Sequence, residues 1–123
     1  MSVFSDTELA YLTGEAHLGR LATVDEQGQP HVVPVGWSYN PDLDTIDISG
    51  RDFAATRKFR NVRATGKAAI VIDDVLPPWR PRCVQVRGTA QALDDAAPAG
   101  EGPPTPMIRI HPTKVVSWGL PTG

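Results

Sequence analysis

The chain is 123 residues long, which leaves room for one domain and one core and none for a second. Apolar residues make up 41% and charged residues 21%, and the net charge of −2 gives the molecule as a whole no pull on DNA or on a membrane surface. Cys83 is the single cysteine, which excludes an internal disulfide and argues against a zinc site. No basic segment leads into an apolar one at the N-terminus, and no run of about eighteen apolar residues occurs anywhere, so the cytoplasm is the expected location.

In chain order, Ser5-Asp6-Thr7-Glu8 reads as a capping box opening a short helix that carries Leu9 and Leu12 and stops near Gly14. Leu18 to Val24 and His31 to Tyr39 read as two strands joined by a polar turn. After a turn at residues 40–44, Thr45 to Ser49 alternates as a third strand. The period then lengthens: Phe53, Phe59 and Val62 fall near helical spacing, giving a helix from Phe53 to Ala64 that Gly66 ends with a positive φ. Lys67 to Asp73 reads as a buried strand. Val75 to Pro81 is expected to be a loop because its three prolines deny it a ladder. Arg82 to Leu93 is a long strand, Ala96 to Pro106 a proline-rich connection, and Met107 to Trp118 a last strand bent at Pro112. Six mainly antiparallel strands with two short helices predict a mainly β fold, closed into a barrel so that its edges are covered.

His17, His31 and His111 have no pairing spacing, no G-x-S-x-G is present, and the glycines form neither a P-loop nor a dinucleotide fingerprint. The positive signal is the stretch from Arg51 to Lys67, where six basic residues face one acid, Asp52, in a chain of negative net charge. A solvated helix face would produce the same charges. Position favours more: the cluster lies where a strand hands over to a helix, so helix dipole and backbone amides add to the side chains in attracting an anion. Thr56 offers a hydroxyl, Arg57 a two-pronged donor and Lys58 a point charge, a set that suits phosphate. Pro34 and Gly36 form a second signal, since a proline without an amide marks an edged or bulged strand against which a flat ring can lie.

Gly19-Arg20-Leu21-Ala22-Thr23, Pro30-His31-Val32-Val33-Pro34-Val35, Thr56-Arg57-Lys58, Asn61, Val84-x-Val86-x-Gly88-x-Ala90 and Ile110-x-Pro112-x-x-Val115-x-Ser117-Trp118-Gly119 occur in this order. Together they resemble the pyridoxamine 5′-phosphate oxidase-like proteins, above all the small actinobacterial branch that uses coenzyme F420. The resemblance implies a split β-barrel homodimer with two cofactor sites at the subunit interface, holding F420 or, alternatively, FMN. It places the cofactor phosphate at Thr56, Arg57 and Lys58, the ring along Val33, Pro34 and Val35, and a supporting role at Ser49 and Arg51. Relatives often carry a helix between the last two strands, where this chain has only residues 96–106. Trp79 is a candidate to cover a ring held by the partner subunit, or else a plain exposed loop residue.

The implied activity is hydride transfer from reduced F420 to a small organic acceptor, with Tyr39 and His31 as proton donors on polarity alone and no catalytic residue assigned. A cofactor carrier without turnover is the competing class. A nucleic-acid-binding barrel is disfavoured, because Phe53 and Phe59 fall at core spacing instead of interleaving with exposed charge. The cations Arg60, Arg63 and Lys67 can meet the acidic tail that F420 carries and FMN lacks only if they face one groove.

Overall fold

The structure is a computed structural model that describes residues 2–15, 17–98, 100 and 102–121. Helix α1 (Asp6–Thr13) is followed by strands β1 (Gly19–Val24), β2 (Pro30–Val35), β3 (Ser38–Asn40) and β4 (Thr45–Ile48). A 3-10 turn (Phe53–Ala55) and helix α2 (Arg57–Thr65) lead to β5 (Lys67–Leu76), β6 (Arg80–Ala96) and β7 (Thr105–Trp118). The expected capping box is present: the Glu8 amide donates to Ser5 Oγ at 3.1 Å and the Ser5 amide to Glu8 Oε1 at 2.8 Å.

All strand pairs are antiparallel, in the order β2-β1-β5-β6-β7-β4-β3. Among the described residues there are seven strands, not six. The expected strand from His31 to Tyr39 breaks at Gly36-Trp37, and its two halves become the two edges of the sheet. Only those two residues join the edges, and three chain steps span at most about 10 Å. The sheet must therefore curl until β2 and β3 meet end to end without pairing. This makes a barrel with one seam, and the Trp37 indole, donating to the His17 carbonyl at 2.8 Å, pins the joint to the entry of β1.

Alternation fills the barrel. Leu21, Ile70, Ile72, Val84, Val86, Ile46, Ile48, Ile108 and Ile110 point inward and are fully buried. The chain leaves the barrel after β4 and returns at β5, three places along the sheet, so the connection crosses the barrel end. There Phe53, Phe59 and Val62 close the core. The expected continuous helix from Phe53 is interrupted at Thr56, which is extended (φ −79°, ψ 155°) and caps α2. Gly66 ends α2 at φ +69°, its amide bonded to the Val62 carbonyl at 2.8 Å.

The prolines at Pro77, Pro78 and Pro81 shorten the expected loop instead of filling it. Val75 pairs with Pro81 and Leu76 with Arg80, leaving only residues 77–79 as the turn. The bend expected at Pro112 is a bulge, where the register slips between Arg87–Lys114 and Gly88–Pro112. Strands approach so closely here that a Cβ on Gly88 would lie 2.0 Å from the His111 carbonyl oxygen. The 96–106 connection belongs in part to the β6–β7 hairpin, through Ala96–Thr105, and in part (residues 99 and 101) lies outside the described residues. No helix among the described residues is long and apolar enough to cross a membrane.

Candidate functional site

Five of the eight candidate residues lie on the β4–α2 crossover at one end of the barrel. Ser49 and Arg51 are exposed on the approach, and Thr56, Arg57 and Lys58 open the helix. Thr56 is engaged on both sides: its hydroxyl donates to the Phe53 carbonyl at 2.7 Å and accepts the Phe59 amide at 3.3 Å. Its role here is to set the helix start, since the hydroxyl proton offered to a phosphate in the sequence reading is directed at Phe53. The amides of Arg57 and Lys58, in the first turn, have no intrahelical acceptor and stay available to an anion.

The cations of this region divide by what they touch. Among the described residues, Arg51, Arg57, Lys58, Arg60 and Lys67 make no salt bridge. The Lys58 ammonium lies 5.3 Å from the centre of the Phe53 ring, held over an apolar floor rather than neutralised. Arg63 differs, since its guanidinium meets Asp94 at 2.6 Å and covers Phe59. Arg57 and Arg60, one turn apart, share a cavity, whereas Lys67 borders a depression on the outer face of the barrel. The later cations therefore do not form one groove.

Val33, Pro34 and Val35 lie on β2, the edge strand at the seam, with Pro34 opposite Arg20 of β1. Pro34 has no amide to donate, and β2 pairs on one side only, so the strand is an edge as its proline implied. These residues do not line the Arg57 cavity. Within one chain the structure brings together the basic start of α2 and, separately, an open strand edge beside the seam.

Neither polar residue considered as a proton donor is idle. The Tyr39 hydroxyl donates to Asp44 Oδ1 at 2.6 Å, and burial together with that carboxylate pushes its pKa up. His31 Nε2 is 3.1 Å from Asp25 Oδ2. We assign protonation to no residue.

Three polar clusters escaped sequence reasoning. Asp47 is buried and takes four hydrogen bonds: two from Arg109 at 3.0 and 3.1 Å, one from Asn40 at 3.1 Å and one from Thr45 at 2.9 Å. Asp74 accepts from Arg82 and from the Tyr11 hydroxyl at 2.8 Å, and the Arg82 guanidinium holds its pKa down at about 2. Asn61 donates to Thr23 at 3.1 Å, fastening α2 to β1. In the sequence Asp47 and Asp74 stood only as acids within apolar strands and Asn61 only as a motif residue, with no indication of any of their partners.

A curled antiparallel sheet with one seam, crossed at its end by a basic helix start, defines the split β-barrel class. The family model for pyridoxamine 5′-phosphate oxidase matches residues 5–119, and the chain belongs to that family. It is 44% identical to a 5a,11a-dehydrotetracycline/5a,11a-dehydrooxytetracycline reductase of Streptomyces rimosus subsp. rimosus, over 95% of this chain and 84% of that protein. Two solved structures share the fold. One is an FAD-binding protein from Mycobacterium smegmatis (TM-score 0.70, 22% identity, 96% of this chain and 97% of that one). The other is an F420 reductase (TM-score 0.64, 20% identity, 87% and 94%).

Proposed function

We propose that this protein is an F420-dependent oxidoreductase that reduces an electron-poor carbon–carbon double bond in a small organic acceptor. The observation that carries the reading is its likeness, along nearly the whole chain, to a reductase of dehydrotetracyclines. The start of α2 fits a phosphate-bearing cofactor: free amides, two cations without ion-pair partners among the described residues, and Arg51 on the approach. In this reading Arg57 and Lys58 hold the phosphate, Thr56 fixes the helix that presents them, Ser49 and Arg51 assist, and Val33, Pro34 and Val35 border the ring. Bound and reduced, F420 supplies the hydride, while the chain supplies orientation and exclusion of water.

The active form in this proposal is a cytoplasmic homodimer with a site at each interface. One face of the barrel supports it. In register across β2, β1, β5, β6 and β7, the outward rows Pro34, Arg20, Val71, Gln85, Val116 and Val32, Ala22, Ala69, Arg87, Lys114 put small or apolar side chains at their centre. Val32 is 69% exposed, and Trp79 and Trp118 are 75% and 52% exposed. Exposed apolar side chains gathered on one face suit a partner surface. A second copy on this face would wall in the open edge at β2.

The test is fluorescence titration with F420 and FMN in parallel, followed by mixing the reduced cofactor with enones, quinones and a dehydrotetracycline. F420 is expected to bind at least about tenfold more tightly than FMN, a difference of about 1.4 kcal/mol, and at least one acceptor to oxidise it. Tighter binding of FMN overturns the cofactor assignment. Tight binding of F420 with no turnover across the panel makes the protein a carrier.

A further inference from the structure

The cavity that Arg57 faces has a volume of 320 Å3 and lies between the β1–β2 turn and the outward face of α2. Its walls are of opposite sign. Arg57 and Arg60 line the helix side, and Asp25 and Glu26 line the turn side. No guanidinium of the first pair closes on a carboxylate of the second to form an ion pair.

Asp25 is in no position to swing across. Its Oδ1 accepts the amides of Gln27 and Gln29 at 3.0 and 2.9 Å, and its Oδ2 faces His31. The Gln29 amide and then His31 hold its pKa below the ordinary carboxylate value, so it stays charged where it stands. Asn61, also lining the cavity, is 4% exposed. Its Nδ2 donates to Thr23, while its Oδ1 accepts no hydrogen bond among the described residues.

Opposite charges kept apart by a gap complement a molecule that carries both. A pure anion meets Arg57 and Arg60 but is repelled by Asp25 and Glu26, and a pure cation suffers the reverse. A zwitterion satisfies both walls without adding net charge. We propose that this cavity binds a small zwitterion of the amino-acid type, its carboxylate on Arg57 and Arg60 and its ammonium toward Asp25 and Glu26, with Asn61 Oδ1 accepting one N–H. Two guanidiniums one turn apart offer parallel donors to one carboxylate, and the Asn61 amide oxygen, which takes no hydrogen bond from the described residues, is open to an N–H from the cavity. Arg57 belongs to both readings, whereas Asp25, Glu26, Arg60 and Asn61 line this cavity and have no part in the cofactor reading, so the inference is tested through them and without cofactor.

Isothermal titration of the full chain, without added cofactor, tests it with glycine and 4-aminobutyrate as zwitterions of two spans. Butyrate, glutarate and butylamine serve as probes of a single sign. At least one zwitterion is expected to bind saturably, at least about fivefold more tightly than every single-sign probe. Arg60→Ala and Glu26→Gln, both at exposed positions, are each expected to weaken that binding at least about fivefold. Equal or tighter binding of glutarate or butyrate overturns the proposal and leaves a plain anion site. So does the absence of saturable binding by either zwitterion, or unchanged affinity in the two variants.

Discussion

The Asp47–Arg109 pair and the start of α2 hold charges of the same kind in opposite circumstances. Between β4 and β7 the carboxylate and the guanidinium are desolvated together, and Asn40 and Thr45 take up the remaining oxygen lone pairs. At α2, Arg57 and Lys58 lie by free amides and make no ion pair among the described residues. Charge inside a fold is tolerable only when its partner is built in, so the first pair is architecture. Charge left unpaired beside a helix start remains ready for something that arrives from outside.

The sharpest way to break this comparison is Asp47→Ala. It strands a buried guanidinium and should cost about 3–5 kcal/mol in urea unfolding, a large part of a small domain's stability. An unfolding midpoint near the parent's would show that the pair holds nothing together. Lys58→Ala should do the opposite, weakening cofactor binding by about 1.5–3 kcal/mol in a fluorescence titration while leaving the melting temperature in place. If both cofactors bind this variant as well as they bind the parent, the phosphate is not at α2.

The Asp74 cluster is the intermediate case, partly buried and fully paired with Arg82 and Tyr11. Its folded pKa of about 2 lies below the ordinary 3.8, so the native state binds fewer protons than the unfolded chain at acid pH. The stability it contributes is present above pH 4 and is lost as the pH falls from about 4 to 2. Asp74→Asn should flatten that part of the stability profile, and an unchanged slope would place the acid sensitivity elsewhere. Smallest of all is Arg63→Ala. Its pair with Asp94 is exposed, so the melt should shift by no more than about 0.5 kcal/mol and cofactor affinity should not move.

The apolar periods of the sequence placed both helices and almost every strand, because side-chain alternation and helical spacing are local properties. The glycine at the end of α2 and the capping box of α1 were legible for the same reason: each is settled within four or five residues. The basic stretch that begins at Arg57 and Lys58 was equally visible, as a reversal of charge along the chain. What the chain order concealed was which charges have partners. Arg63 and Arg60 look alike in sequence, yet one meets Asp94, thirty-one positions away, and the other faces a cavity. Only the curl of the sheet, which brings β2 and β3 end to end and sets β4 against β7, decided that Asp47 is neutralised, that Pro34 borders a seam, and that Arg57 and Lys58 make no ion pair among the described residues. Pairing across a fold depends on contacts tens of residues apart, and those form only when the whole barrel does.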